Sequence, residues 1–365
     1  MATPTLLLDE TLLWLCAIAS PIGEEKALCD AIEARVNRLK LAAPVRRYSN
    51  SIVVPLFRKE GAPHVALVGH TDTVRTENGP AHLDGDRCVG SGAADMKSGL
   101  AVMLAIAETM DRGAMSCSVT LVFYAREEGP FAENELGPVL AQDPDLSKVD
   151  LAICMEPSDN KLHLGCTGSI HATVTFEGKT AHSARPWEGE SAITKAASFI
   201  AEVGQIQPEE AIVDGMVYRT VTTITRANDG GRGRNVVPDR FVLNVNHRFA
   251  PIHSIEESQS RLVALVDGRA QIEFTDLSPA AMPFRDHPLV YALEQCGVRG
   301  VERKQAWTDV ARFAQLGVAA VNFGPGENAQ AHKKNESTSL ALVHEGYEII
   351  LRFLRNDGAS RSMGS

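Results

Sequence analysis

Val65-Ala66-Leu67-Val68-Gly69-His70-Thr71-Asp72-Thr73 is the stretch on which the fold turns. It opens with an unbroken apolar run, too short for a helix and without alternation. That is the pattern of a strand buried on both faces, as in parallel sheets packed between helices. The run ends by delivering a histidine and an acid two residues apart, which in extended chain share a face. Working outward, short runs rich in Val, Ile and Leu recur at Ser51–Phe57, 119–125, 151–155 and 318–323. Segment 24–40 carries Leu28, Ile32, Val36 and Leu39 at helical spacing, and 98–110, 289–296 and 340–354 also read as helices. Strand–helix alternation predicts an α/β domain with helices on both faces of its sheet.

The style changes after Gly165. Residues 170–176 alternate as a half-buried strand does, 190–203 are helical, 220–225 and 240–248 are strand candidates, and Ile255–Val266 is helical again. This predicts a small α+β domain, residues 168–278, inserted into a larger one formed by 1–167 and 279–365. Residues 356–365 are small and polar and read as a frayed tail. The chain has 365 residues, 44% hydrophobic and 22% charged, an ordinary globular mixture. Its net charge of −10 lacks the basic footprint of non-specific nucleic-acid binding, though a local arginine cluster can still receive an anionic substrate. The seven cysteines are scattered without a Cys-x-x-Cys, which points to reduced thiols in a cytoplasmic protein. The longest apolar stretches are about half of the ~20 residues a membrane span needs, and no secretory signal is visible.

Chemistry gathers at the strand ends. His70 and Asp72 follow the first run, Glu127-Glu128 follow 119–125, and Glu156-Pro157 follow 151–155. Gly324-Pro325-Gly326, with His332 in the same loop region, follows 318–323. Taken singly, each has a bland explanation: a histidine satisfied by a nearby acid, or a solvated acidic loop. Ligands of open α/β sheets, however, bind beyond the carboxyl ends of the strands. One shared metal site is then simpler than four coincidences. Mixed carboxylate and imidazole suit zinc, with cobalt or manganese as substitutes. The loop Gly90-Ser91-Gly92-Ala93-Ala94-Asp95-Met96-Lys97 half matches a dinucleotide fingerprint, but Asp95 stands where the third glycine belongs and would repel a pyrophosphate. A flexible loop presenting Asp95 fits a carboxylate that bridges two metals.

Gly69-His70-Thr71-Asp72-Thr73-Val74, Gly90-x-Gly92-x-x-Asp95-Met96-Lys97, Glu127-Glu128, Glu156-Pro157 and His332 occur in this order over nearly the whole chain. Together they resemble the co-catalytic di-zinc metallopeptidases, which include aminoacylases, acetylornithine deacetylases, glutamate carboxypeptidases and succinyl-diaminopimelate desuccinylases. The resemblance implies a mixed-sheet α/β catalytic domain with helices on both faces and an inserted ferredoxin-like α+β domain serving as lid and dimerisation surface. It implies two zinc ions, with Asp95 bridging, His70 and Glu156 completing one site, and Glu128 and His332 the other. Asp72 would orient His70, Glu127 would be the general base, and the peptide bond Asp95–Met96 would be cis. In Gly178-Lys179-Thr180-Ala181-His182-Ser183-Ala184-Arg185-Pro186, His182 would reach a neighbouring subunit's site and stabilise an oxyanion. Asn235 and Arg248 match positions that contact substrate carboxylates.

Within the family the chain is most similar to the desuccinylases. The stretches that carry this run from Ala181 to Trp187, from Arg234 to Pro238 with Asn246 to Pro251, and from Trp307 to Phe313 on to Lys334. The implied reaction is hydrolysis of N-succinyl-LL-2,6-diaminopimelate to succinate and LL-2,6-diaminopimelate, a step of lysine biosynthesis, by a homodimer. A related deacylase, acetylornithine deacetylase-like, or a metallocarboxypeptidase is the alternative. Gly165-Cys166-Thr167-Gly168-Ser169 departs from other desuccinylases, which carry an arginine there, and leaves the acyl group open. A serine hydrolase is disfavoured by the lack of Gly-x-Ser-x-Gly, and a non-catalytic scaffold by the retention of every implied ligand and of Glu127.

Overall fold

The computed structural model describes residues 4–76, 78–230 and 233–356, so the tail beyond 356 lies outside the described residues. The chain forms two compact units. One takes in the chain up to Gly165, Pro283–Lys304 and the chain from Thr308 on; the other takes in Cys166–Met282 with Gln305–Trp307.

The first unit is built on an eight-stranded mixed sheet. Its order is Arg46–Tyr48, Ser51–Phe57, Ser118–Tyr124, His64–His70, Leu151–Cys154, Ala319–Asn322, Leu162–Leu164, Val301–Arg303. The four strands from Ser118–Tyr124 to Ala319–Asn322 run parallel. Every residue of His64–His70 and of Ser118–Tyr124 is buried. Successive side chains point to opposite faces, so helices must cover both faces. Parallel strands present their carboxyl ends on one edge, which brings His70, the 125–128 turn, Glu156 and the loop after Asn322 together.

Helix Lys97–Thr109 is buried without a break from Lys97 to Ala107. It is apolar all round because it lies between strand His64–His70 and the helices Pro4–Ala17 and Leu340–Arg355. Two glycines allow this approach. A Cβ on Gly69 would lie 2.6 Å from Leu100 Cδ2, and one on Gly99 would lie 2.4 Å from the Met155 carbonyl oxygen. The peptide bond Asp95–Met96 is cis.

The second unit is a five-stranded antiparallel sheet in the order Glu209–Val213, Met216–Asn228, Arg240–Phe249, Gly168–Glu177, Gln271–Ser278. With helices Ala192–Gln205 and Ile255–Val266 this is the ferredoxin-like βαββαβ arrangement, extended by the edge strand Glu209–Val213. Its core joins Ile170, Ala172, Val174 and Phe176 from one strand to Ala196, Phe199, Val203, Leu262 and Val266 from the helices. A separate two-stranded ribbon pairs Ala181–His182 with Val236–Val237.

Several short elements were not anticipated. Arg46–Tyr48, Leu162–Leu164 and Val301–Arg303 are three-residue strands, too short to show a period. So are the members of a small sheet, Ser337–Ser339, Arg87–Val89 and His82–Asp84. No helix among the described residues is long and apolar enough to cross a membrane.

Candidate metal centre

His70 closes its strand with a buried ring. Nε2 lies 3.2 Å from Asp95 Oδ1, and Nδ1 lies 3.1 Å from the Asp72 carbonyl oxygen and 3.4 Å from Asp72 Oδ1. Burial alone would lower the imidazole's pKa, but Asp72 and Asp95 raise it well above the usual value. Asp72 does more than face His70. Its Oδ1 accepts the N–H of Glu127 at 3.1 Å and its Oδ2 that of Glu128 at 2.9 Å. One buried carboxylate therefore ties the end of one parallel strand to the acidic turn beyond its neighbour.

Across the cup, His332 Nε2 lies 2.9 Å from Glu128 Oε1 and 3.4 Å from Asp95 Oδ2. Hydrogen bonds to these two acids push the imidazole up to about 10. Asp95 thus sits between two imidazoles. Burial would raise its pKa, but His332 and His70 hold it below the ordinary carboxylate range. Ligand atoms of His70, Asp95 and Glu128 lie within 4.8 Å of one another, a spacing that fits a metal ion.

Glu156 and Glu127 complete the acidic lining. Glu156 is 5% exposed and its Oε1 has no hydrogen-bond partner. Burial, and then the charge of Asp95, push its pKa up to about 7. Glu127 is raised well above its ordinary value by burial and then by Glu156. Such crowded carboxylates, one with an orphaned buried oxygen, lack positive charge. Divalent cations fit this donor set: carboxylate and imidazole, open on one side, with a second carboxylate holding the ligating histidine. The residues that would hold them are His70, Asp95, Glu128, Glu156 and His332.

The other predicted residues belong to the second unit. His182 is exposed on the ribbon. Its Nδ1 accepts the N–H of Ala184 at 3.1 Å. The Asn235 carbonyl accepts the N–H of Ser183 at 2.9 Å, so His182 and Asn235 share this ribbon. Arg248 lies on strand Arg240–Phe249, where its Nε donates to Asn246 Oδ1 at 3.0 Å.

Two buried acids behind the cup were not singled out from the sequence. Asp309 accepts from Tyr124 Oη at 2.7 Å, Asn134 Nδ2 at 2.9 Å and Arg312 Nε at 2.6 Å. Arg312 also donates to the Phe131 carbonyl, so this cluster anchors the segment following Glu127-Glu128. Glu336 binds the Asp95 loop. An isolated acid in a polar stretch carries no signature of such a role; only its backbone partners reveal it.

A profile of peptidase family M20/M25/M40 matches residues 66–356. The succinyl-diaminopimelate desuccinylase of Corynebacterium glutamicum is 33% identical over 348 residues, covering 93% of this chain and 94% of its own. Among solved structures, a Staphylococcus aureus tripeptidase superposes with a TM-score of 0.79 at 21% identity, over 97% of this chain and 99% of its own. Bacillus subtilis YxeP, described as a dinuclear metal-binding peptidase, superposes with a TM-score of 0.70 at 13% identity, over 96% and 98%. At such identities these two structures speak for the fold alone.

Proposed function

The chain belongs to peptidase family M20/M25/M40 and is a hydrolase acting on amide bonds; on that premise we propose that it removes the succinyl group from N-succinyl-LL-2,6-diaminopimelate, using two zinc ions. The observation that carries the reading is the convergence of His70, Asp95 and Glu128 within 4.8 Å at the parallel strand ends. Desuccinylases of this extent of similarity, such as that of Corynebacterium glutamicum, support the substrate.

Two cations in the cup would polarise the scissile carbonyl and acidify a water. The chain's own residues supply the rest. Asp95 would be shared by both cations, His70 and Glu156 would hold one, and Glu128 and His332 would hold the other. Asp72 orients His70 and fixes the backbone of Glu127 and Glu128. Glu127 takes the proton of the attacking water and returns it to the leaving amine. It can do so because its adjacent residue Glu128, not Glu127 itself, faces His332. We place catalysis in residues 1–167 and 279–365, and lid and dimerisation functions in 168–278. From the lid, His182 stabilises the oxyanion in the partner's site. Asn235 and Arg248 contact substrate carboxylates, for which a guanidinium fork is suited. The setting is cytoplasmic lysine biosynthesis.

Initial rates on N-succinyl-LL-diaminopimelate and N-acetylornithine, with metal content verified, test the reading. Strong preference for the succinyl compound is expected. Preference for the acetyl compound would keep the hydrolase and move the assignment to a deacetylase. No turnover of either by metal-loaded protein would remove both substrates.

A further inference from the structure

Glu336 lies four residues beyond His332, and the residue is 2% exposed. Its Oε2 accepts the N–H of Gly92 at 2.9 Å, and its Oε1 accepts those of Ala94 at 2.9 Å and Asp95 at 2.8 Å. Its backbone carbonyl accepts the N–H of Gly90 at 2.9 Å. A single residue thus takes up four backbone donors of the loop that presents Asp95. A carboxylate is acceptor-only when ionised and has room for these bonds. A cationic neighbour completes the environment. Lys97 is 1% exposed, donates from Nζ to the Ile18 carbonyl at 3.0 Å, and interacts electrostatically with Glu336.

The strand pairing explains why this contact is rigid. Ser337, Thr338 and Ser339 pair antiparallel with Val89, Cys88 and Arg87. Glu336 and Gly90 are the next rung, where the ladder opens into two loops. One loop leads forward to Asp95 and the other leads back to His332. The separation of these two side chains is therefore set by a short β-ladder and by the carboxylate that continues it.

Resting on the reading that Asp95 and His332 hold metal, we propose that Glu336 is a positioning residue that pre-forms the metal cup, fixing Asp95 relative to His332 before any cation enters. Among the described residues its carboxylate oxygens accept only backbone N–H groups, so it acts through Asp95 and not on substrate. An ion-paired glutamate away from the ladder serves as a control. Glu108 pairs with Arg35 at 2.6 Å, at the end of helix Lys97–Thr109 opposite to Asp95 and apart from the ladder.

The test has two arms. Amide hydrogen exchange on metal-free wild-type protein should show Gly92, Ala94 and Asp95 already protected. Zinc affinity, read by chelator competition, should fall about 10–100-fold in Glu336→Gln, the usual effect of losing a partner that orients a ligand. The glutamine keeps the shape but turns an NH2 group toward a backbone N–H. Glu108→Gln should bind zinc as wild type does. Rapid exchange of the three amides until zinc is added would overturn the proposal, as would unchanged zinc affinity in folded Glu336→Gln. If Glu336→Gln does not fold, the exchange measurement on wild type decides. Wild-type protein that takes up no zinc would overturn the metal reading itself, and the proposal with it.

Discussion

Replacing Tyr124 with phenylalanine removes one oxygen from the buried cluster behind the acidic turn. Tyr124 is 1% exposed and its hydroxyl donates to Asp309 Oδ2 at 2.7 Å. The ring remains, so almost no cavity forms. What is lost is a hydrogen bond to a buried carboxylate, typically worth about 1.5–3 kcal/mol. Asn134 still donates to the same oxygen and Arg312 to the other, so Asp309 keeps part of its satisfaction. That places the expected loss near the middle of the range, about 2 kcal/mol. In a domain of roughly 150–250 residues such a loss lowers Tm by about 4–8 °C. Tyr347 supplies the comparison. Its hydroxyl meets Thr109 Oγ1 at 2.8 Å, a neutral pair, and Tyr347→Phe should cost only about 0.5–1.5 kcal/mol. Urea unfolding of the three proteins, with unchanged m-values, measures both. A loss below about 0.5 kcal/mol for Tyr124→Phe, or equal losses for the two variants, would refute the idea that Asp309 is a charged hub holding this turn.

Glu127→Gln should lower kcat about 10²–10⁴-fold, the range for a lost general base, while metal content stays at the wild-type level; full activity would remove Glu127 from proton transfer. His64, His163 and His247 are held to about 4, chiefly by burial, with the charges of Arg58, Lys304 and Arg261 next in order. The unfolded chain protonates them near 6.5 and the folded protein only near 4, so the unfolded state binds more protons between these values. Their contribution is present above about pH 6.5 and is lost as pH falls to about 4, up to roughly 3 kcal/mol for each ring. NMR titration of the three rings should find them neutral at pH 5; a midpoint near 6.5 would contradict it. Gly99→Ala gains helix propensity but drives a methyl into the Met155 carbonyl, 2.4 Å from the ideal Cβ position. A net loss of about 1–3 kcal/mol in thermal or urea unfolding is expected, and a stabilised variant would show that helix and strand end are not in firm contact.

Much of this arrangement can be read from the chain because two regularities are strong. Continuous apolar runs mark strands buried on both faces, and parallel strands share one edge, so His70, Glu128 and Glu156 are brought to one side by the same rule. The alternating segment within Gly168–Glu177 likewise identifies a sheet with one packed face. The features that escape lack any period. Glu209–Val213 is largely exposed along its length and carries no alternation of burial. The three-residue strands are fixed by their neighbours rather than by their own composition. Glu336 owes its role to backbone amides far away in sequence, and Asp309 to Tyr124 and Asn134, likewise distant, with only Arg312 near it in the chain.

The strand order also has a consequence for when the cup comes into being during synthesis. Its candidate ligands run from His70, in the first fifth of the chain, to His332, near its end, with the whole 168–278 segment made in between. Strand Ala319–Asn322 pairs beside Leu151–Cys154 in the middle of the sheet, so a portion made after the 168–278 segment enters an interior position rather than adding to an edge. A ribosome-bound chain lacking that portion carries His70, Asp95, Glu128 and Glu156 but neither the central strand nor His332. On the proposed reading, the full set of candidate ligands exists only once both His332 and this central strand have been made, so shorter products would hold a metal ion poorly.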